Sequence, residues 1–371
     1  MPDSDSHASP TFQAIGSDDW MAAEDLEEMA RARLNPALFD FVSGGAGDEL
    51  TMAANLAAFR AWRLRPRVLT NTSTVNLATE VCGAALEMPV FVAPMGRQWA
   101  LHPDGEAGTA AGAAAAGAGF VLSSDSHRTI SEVAGAGGPG LWYQLYFRSD
   151  RATTRELVAA AEAACYRALC VTVDTPVLGL RRRDVRHSFS AGRAAPLGGE
   201  AVPKPPPAHE LHAGVGAFAP TTWDDIDWLR SETRLPILIK GILGPEDATL
   251  AVEHGLAGII VSNHGGRQLD HAVASLDALP DVVAAVGGRV PVLLDSGVRR
   301  GTDIVIALCL GARAVGVGRP ALWALAINGR AGVERLLRFL AADLARTLIL
   351  LGAESVGQLG PRFLQREMGA R

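Results

Sequence analysis

In the run Ser262-Asn263-His264-Gly265-Gly266-Arg267 an imidazole stands between an amide side chain and a Gly-Gly turn, with a guanidinium three residues on. A histidine so placed, with a carboxylate such as Asp174 to hold one tautomer, has the make-up of a general base. Arg181 and Arg267 could clamp a substrate carboxylate, or pair with Asp174 or Asp295 in a structural network. Lys240 closes an apolar run. Burial there could depress its pKa and permit Schiff-base chemistry, or the ammonium could stay charged beside an electron-rich ring. Gly297, Gly316 and Gly318 allow close backbone approach, and Arg299 and Arg319 beside them carry donors suited to a phosphate.

These residues share a position: each follows a short apolar run. The runs are Pro89–Ala93, Gly119–Ser123, Leu141–Leu145, Ala168–Val173, Leu235–Lys240, Ala257–Ser262, Val290–Leu294 and Arg313–Val317. They are apolar at consecutive positions, as strands buried on both faces should be. Most are separated by about 20–30 residues, enough for a right-handed helical crossover. Eight such units in series predict a (β/α)8 TIM barrel in the α/β class, with an open doubly wound sheet as the alternative. In a barrel the C-terminal strand ends open into one mouth, and loops seven and eight form its phosphate sites. Ser123, Gln144, Tyr146, Thr172 and the turn Pro94-Met95-Gly96 join the set by the same criterion.

Residues 18–371 read as one domain. It comprises an N-terminal helical cap over 18–88, a barrel core over 89–330 and C-terminal helices over 331–371. In the cap, Met21–Leu34 reads as one helix, and Pro36–Phe41 opens a second that ends at Gly44-Gly45. A Gly-, Pro- and Ala-rich stretch over 185–220 reads as a long mobile loop after the fourth strand, and 1–17 as a flexible tail. The literal GxGxxG at Gly135–Gly140 precedes a strand instead of following one, so it reads as a turn and not as a dinucleotide fingerprint.

Composition narrows the function classes. The balance of 34 basic against 40 acidic residues argues against a nucleic-acid binder. No apolar run is long enough for a membrane span, and the polar, acidic start lacks a signal-peptide pattern, so a cytoplasmic location is expected. The four cysteines form no CxxC pair and the histidines form no HExxH, so no metal site is expected.

The stretch Ser262-Asn263-His264-Gly265-Gly266-Arg267-Gln268-Leu269-Asp270 closely resembles the FMN-dependent α-hydroxy-acid dehydrogenase and oxidase family. Tyr143-Gln144-Leu145-Tyr146, Thr172-Val173-Asp174-Thr175-Pro176 and Asp295-Ser296-Gly297-Val298-Arg299-Arg300-Gly301 resemble it too, as do His102–Glu106 and Lys240-Gly241. The resemblance runs from about Met21 to Leu364, apart from the loop after strand four. It implies FMN as cofactor. Arg299, Gly318 and Arg319 would grip the phosphate, with Gly297 in the same turn, and Asp295 would contact the ribityl chain. Ser123, Gln144, Thr172 and Ser262 would meet the ring. Pro94, Met95 and Gly96 would lie along it, with the Gly96 backbone near N5. Lys240 would stand as a cation beside N1 and O2. It further implies His264 as catalytic base, Asp174 as its partner, Arg181 and Arg267 as carboxylate clamp, and Tyr146 as a hydrogen-bond partner of the substrate.

The implied reaction is oxidation of an (S)-2-hydroxy acid to the 2-oxo acid, by hydride transfer or through a carbanion. The electron acceptor would be oxygen, a quinone or a carrier, and the assembly a homotetramer. Three departures from the family pattern bear on the substrate. Phe39 aligns with a tyrosine that touches the substrate carboxylate; the lost hydrogen bond is worth roughly 0.5–1.5 kcal/mol and leaves an apolar wall. Asp125 replaces a tryptophan, and an acid in the mouth would disfavour a second negative charge on the substrate. Gly96 replaces a frequent alanine and leaves room near N5. Together these favour an aromatic or bulky, mandelate-like acid. A specialised oxidase or monooxygenase acting on a non-standard substrate is the alternative. A flavin-binding barrel without redox turnover, or a flavin-free barrel acting on a phosphorylated metabolite, stands further off.

Overall fold

Runs that are apolar at every position can be satisfied only if both strand faces are covered, and a closed barrel inside a ring of helices does this. The structure, a computed structural model, describes residues 20–147, 150–187 and 221–367. Its eight parallel strands are β1 Val90–Val92, β2 Gly119–Ser123, β3 Leu141–Leu145, β4 Leu169–Thr172, β5 Ile237–Ile242, β6 Gly258–Val261, β7 Val292–Leu294 and β8 Ala314–Val317. β8 pairs with β1 through Val315–Val90, Gly316–Phe91 and Val317–Val92, which closes the barrel and excludes the open sheet.

Strand alternation then sorts the side chains. Phe91, Val121, Trp142, Cys170, Leu238, Ile260, Leu293 and Ala314 fill the barrel interior, while their neighbours face the helices. A residue two positions further along each strand points to the same side, one layer nearer the mouth. Those eight positions are Ala93, Ser123, Gln144, Thr172, Lys240, Ser262, Asp295 and Gly316. The polar layer of the site is therefore a continuation of the core pattern. At the other end, the hairpin Thr79–Val81 and Ala84–Leu86 plugs the barrel with Val81 and Leu86.

The strand boundaries differ from expectation at one functional residue. Lys240 was expected to end its strand, yet β5 continues to Ile242. A register shift lies between Lys240 and Ile242, across Gly241 at φ +114°. A Cβ at Gly241 would meet Asp174 Cβ at 2.7 Å, so glycine is required for β4 and β5 to end this close together.

The cap contains three helices, not two: Ala23–Arg33, Pro36–Ser43 and Leu50–Arg60. The second opens with Pro36 at its first position and with Asn35 Oδ1 accepting from Leu38 N at 2.9 Å, and it stops at Gly44. The third carries Asn55 to Asn263, where the two side-chain amides exchange hydrogen bonds of 2.8 and 2.7 Å. Asp270 accepts from the Asp48 and Thr51 amides at 2.8 and 2.9 Å. These bonds fasten the loop after β6 to the cap from both sides of His264. The loop after β4 begins with the helix Arg182–Arg186. Most of the stretch expected as a mobile loop, 188–220, lies outside the described residues, as does the expected tail 1–17.

Candidate active site

The strand ends surround a cavity of about 400 Å³ at the C-terminal mouth. Pro94, Met95, Gly96, Ser123, Tyr146, Arg181, Lys240, His264 and Arg267 line it. Asp295, Gly297, Arg299, Gly318 and Arg319 complete the far side. Gln144, Thr172 and Ser262, all buried, and the half-buried Asp174 stand immediately behind these residues, bonded to them or beside them. All but one of the residues singled out in the sequence thus fall in one place.

The exception is Phe39. It is 2% exposed and packs beneath the Arg31 guanidinium, 4.2 Å from its ring centroid, inside the cap. Two positions along a helix turn a side chain by about 200°, so the residue facing the mouth is Phe41. Phe41 lines the cavity, and the Arg267 guanidinium lies 5.4 Å from its ring centroid. The apolar wall expected at Phe39 is therefore at Phe41.

The acid–base pair is geometrically sharp. His264 Nδ1 lies 2.9 Å from Asp174 Oδ1, which leaves Nε2 as the other ring nitrogen. Burial lowers the His264 pKa below its ordinary value, against the opposing pull of Asp174; Lys240 and Arg181 lower it further. Burial pushes the Asp174 pKa upward, but the charges of His264 and Lys240 overcome this and bring it to about 2. A neutral imidazole anchored on an ionised carboxylate results, which is the state a base needs. His264 sits at φ 60°, followed by Gly265 at 67° and Gly266 at 73°. A non-glycine residue in this region costs about 1–2 kcal/mol, and the bonds of Asn263 and Asp270 hold it there. The His264 amide also donates to Ser262 Oγ at 3.1 Å.

Lys240 donates to Ser262 Oγ at 3.0 Å and lies 3.5 Å from Asp295. Burial alone would lower its pKa, but Asp295 and Asp174 raise it above the ordinary value. The pairing with Asp295 keeps Lys240 protonated, which favours the cationic reading over Schiff-base chemistry.

Five arginines line the mouth: Arg97, and the more deeply set Arg181, Arg267, Arg299 and Arg319. Burial lowers the pKa of Arg181 and Arg299, drives that of Arg267 well down, and takes that of Arg319 to about 9. Guanidinium groups stay protonated in proteins, so these shifts mark buried cations that carboxylates only partly offset. Arg267 Nη1 and Arg319 Nη2 both donate to the Gly44 carbonyl, at 2.7 and 2.8 Å. Arg181 Nε reaches the Arg267 carbonyl at 3.5 Å, and Asp184 stands close enough to interact with both Arg181 and Arg267. Arg299 stacks over Trp323 at 5.3 Å. Such a cluster of buried cations is suited to binding anionic groups.

The residues fit FMN on further grounds. Gln144 Nε2, Thr172 Oγ1 and Arg319 Nε are buried without a hydrogen-bond partner, a costly state that the polar edges of a bound cofactor would relieve. Ser123 Oγ and Gln144 Oε1 are already fixed on each other at 3.1 Å. At Gly318 an added Cβ would meet only Met95 Sδ at 3.7 Å, so the space in front of it is open to a ligand.

Two expectations change. Asp125 is not a lone acid in the mouth: its Oδ2 accepts from Arg97 Nε at 2.8 Å, and both residues line the cavity. Nor does Gly96 leave room for the cofactor on its Cβ side. A Cβ there would meet the Asp125 carbonyl at 2.8 Å, so the space is already filled. Sequence reasoning missed Arg97, Phe41 and the Asn55–Asn263 pair, because each acts through a partner distant in sequence.

Comparison with known proteins agrees with this geometry. The family model described as FMN-dependent dehydrogenase matches residues 30–366. An L-lactate oxidase of Nostoc sp. is 46% identical over 352 residues, covering 92% of this chain and 96% of that protein. The structure of a mandelate oxidase superimposes with a TM-score of 0.86 at 39% identity, covering 94% of this chain and 98% of the other. That of an active mutant of (S)-mandelate dehydrogenase gives 0.85 at 38% identity, covering 94% and 100%. The chain belongs to the FMN-dependent dehydrogenase family of 2-hydroxy-acid oxidases and dehydrogenases.

Proposed function

We propose that the protein oxidises an (S)-2-hydroxy acid with an aromatic or bulky side chain, related to mandelate, to the 2-oxo acid. The observation that carries this reading is the His264–Asp174 pair opening onto a cavity that also holds Arg181 and Arg267. Arg181 and Arg267 bind the substrate carboxylate, and Tyr146, whose pKa burial raises, stays a protonated donor beside them. This fixes the α-carbon against the cofactor face of the cavity. His264, held at Nδ1 by Asp174, accepts a proton at Nε2, and the Asp174 carboxylate stabilises the imidazolium that forms. Arg299 and Arg319 would hold the phosphate of FMN, and Gln144, Thr172, Ser123 and Lys240 its ring; the bound flavin would supply the acceptor for the two electrons and the second hydrogen. The Lys240 ammonium, held charged by Asp295, stabilises negative charge arising next to it.

The substrate side chain then meets Phe41 and Leu178 on one side and the Arg97–Asp125 pair on the other. The apolar part supports a ring. The ion pair favours a second reading, in which the natural substrate carries a polar group that a simple hydroxy acid lacks.

The test is an anaerobic visible spectrum of the FMN-loaded protein before and after adding (S)-mandelate, lactate, glycolate and ring-substituted mandelates. Bleaching by mandelates above the small acids is expected. Bleaching by polar-substituted acids alone would favour the second reading. A flavin that no 2-hydroxy acid bleaches would sink both, and would leave a barrel that binds its cofactor without turnover. Readmitting air then separates oxygen from a quinone or a carrier as acceptor.

A further inference from the structure

Behind the turn that follows β1 lies a buried polar network that the proposed chemistry does not use. Gln98 is fully buried. Its Nε2 donates to the Met95 carbonyl at 2.9 Å, and its Oε1 accepts from Thr109 Oγ1 at 2.5 Å. Its own amide donates to Oε1 of Glu106, a carboxylate with no solvent exposure, at 3.0 Å. Thr109 and Glu106 belong to the helix Gly105–Ala115, so a rigid element holds both ends of the Gln98 side chain and backbone. Burying a carboxylate and an amide is expensive. For that cost, the visible result is one fixed peptide plane, Met95–Gly96.

The plane matters because of where it lies. The Met95–Gly96 peptide is trans, as are all peptide bonds among the described residues, so its C=O and N–H point in opposite directions. Gln98 holds the Met95 carbonyl on the protein side. The Gly96 N–H makes no hydrogen bond among the described residues, and both Met95 and Gly96 line the cavity. A Cβ on Gly96 would collide with the Asp125 carbonyl, so the turn is fixed on that flank too.

The geometry points to Gln98 as a positioning residue which, held by Thr109 and Glu106, aims the Gly96 amide at the redox-active edge of the bound flavin. An N–H dipole aimed there favours added electron density on the ring. The network therefore tunes the cofactor and not only its binding. This inference rests on the assignment of the ring to this wall of the cavity.

The test compares flavin-loaded wild type with Gln98→Leu, Thr109→Val and Thr109→Ser. Sulfite is the probe, because it adds to N5 of the oxidised ring as an anion and needs no substrate. Gln98→Leu should retain FMN, bind sulfite about tenfold more weakly, the equivalent of one lost hydrogen bond, and show a more negative midpoint potential. Thr109→Val should shift both in the same direction by less, and Thr109→Ser, which keeps the donor, should match wild type. Either Gln98→Leu or Thr109→Val with FMN bound and with sulfite affinity and potential unchanged would overturn the inference. If Gln98→Leu does not fold, the Thr109 pair decides. Failure of 2-hydroxy acids to reduce the wild-type flavin would count against the proposed substrate, while sulfite affinity would still judge the network.

Discussion

The barrel has a cavity at each end, and the two differ in chemistry more than in size. The cavity at the N-terminal strand ends measures about 500 Å³ and is lined by Glu80, Cys82, Arg289 and Arg313 among others; the one at the mouth measures about 400 Å³. The difference lies in how the polar groups are employed. At the lower end, Arg289 spends its donors on the carbonyls of Val286 and Ala285, closing a helix C-terminus. No lining residue there holds a buried polar atom without a partner, among the described residues. At the mouth, Gln144 Nε2, Thr172 Oγ1, Asp174 Oδ2 and Arg319 Nε are all buried and unbonded. Folding tolerates such groups only where something else offsets their cost. Unmet polar chemistry distinguishes the two ends where volume does not.

The strongest way to break this contrast is to remove the base. His264→Asn should lower kcat by about 10²–10⁴-fold while FMN stays bound, since the imidazole acts on the proton and not on cofactor affinity. Arg313→Ala at the lower end should leave kcat unchanged. Stopped-flow flavin reduction measures both, and similar losses from the two variants would remove the distinction between the ends.

Arg181→Met comes next. Truncating one side of a buried charged contact costs about 2–5 kcal/mol, so kcat/KM should fall roughly thirtyfold or more. Arg181→Lys should recover little of it, because an ammonium lacks the planar fork that matches a carboxylate. Full recovery by lysine would mean that the contact is a point charge and that the clamp is misassigned.

The pH dependence sharpens the account of the mouth. Burial lowers the His264 pKa below its ordinary value of 6.5, so the base is already deprotonated at neutral pH. The acid limb of kcat/KM should therefore lie below pH 6.5, with activity lost as pH falls through it. Asp174 is the group that raises the His264 pKa. Removing its charge in Asp174→Asn should move the limb to still lower pH while reducing the plateau, because the imidazole loses its tautomer partner. A limb that moves upward would show that Asp174 does not face His264 as a carboxylate.

How much of this could be read in the sequence follows from periodicity. The inward layer of Ser123, Gln144, Thr172, Lys240, Ser262 and Asp295 was legible, because each stands two residues beyond an interior apolar residue on a strand whose period is two. Helix phase was not legible in a segment as short as Pro36–Ser43. Phe39 and Phe41 look alike in sequence, and only packing against Arg31 or against Arg267 tells the core face from the mouth face. The partner of Asp125 was also hidden. Arg97 comes from the turn after β1, 28 residues away in sequence, at a left-handed φ of 62° that no local pattern announces. Loop-to-loop pairs depend on closure of the barrel, and closure is the one property that strand counting leaves open.

The smallest expected effect returns to the lower cavity. Burial raises the Cys82 thiol to about 11, and likewise Cys309 to about 11 and Cys170 to about 12. Only the thiolate reacts with an alkylating agent, so these three sulfurs should stay unmodified near neutral pH. Cys165 is exposed. Iodoacetamide at pH 7.5 should therefore add a single label, at Cys165, with flavin reduction unchanged, as intact-mass and peptide mapping can check. Rapid labelling of Cys82 would show that the lower cavity ionises its thiol, which a site of polar chemistry does and a packing void does not. In that case the contrast between the two ends would fail from the side that was expected to be inert.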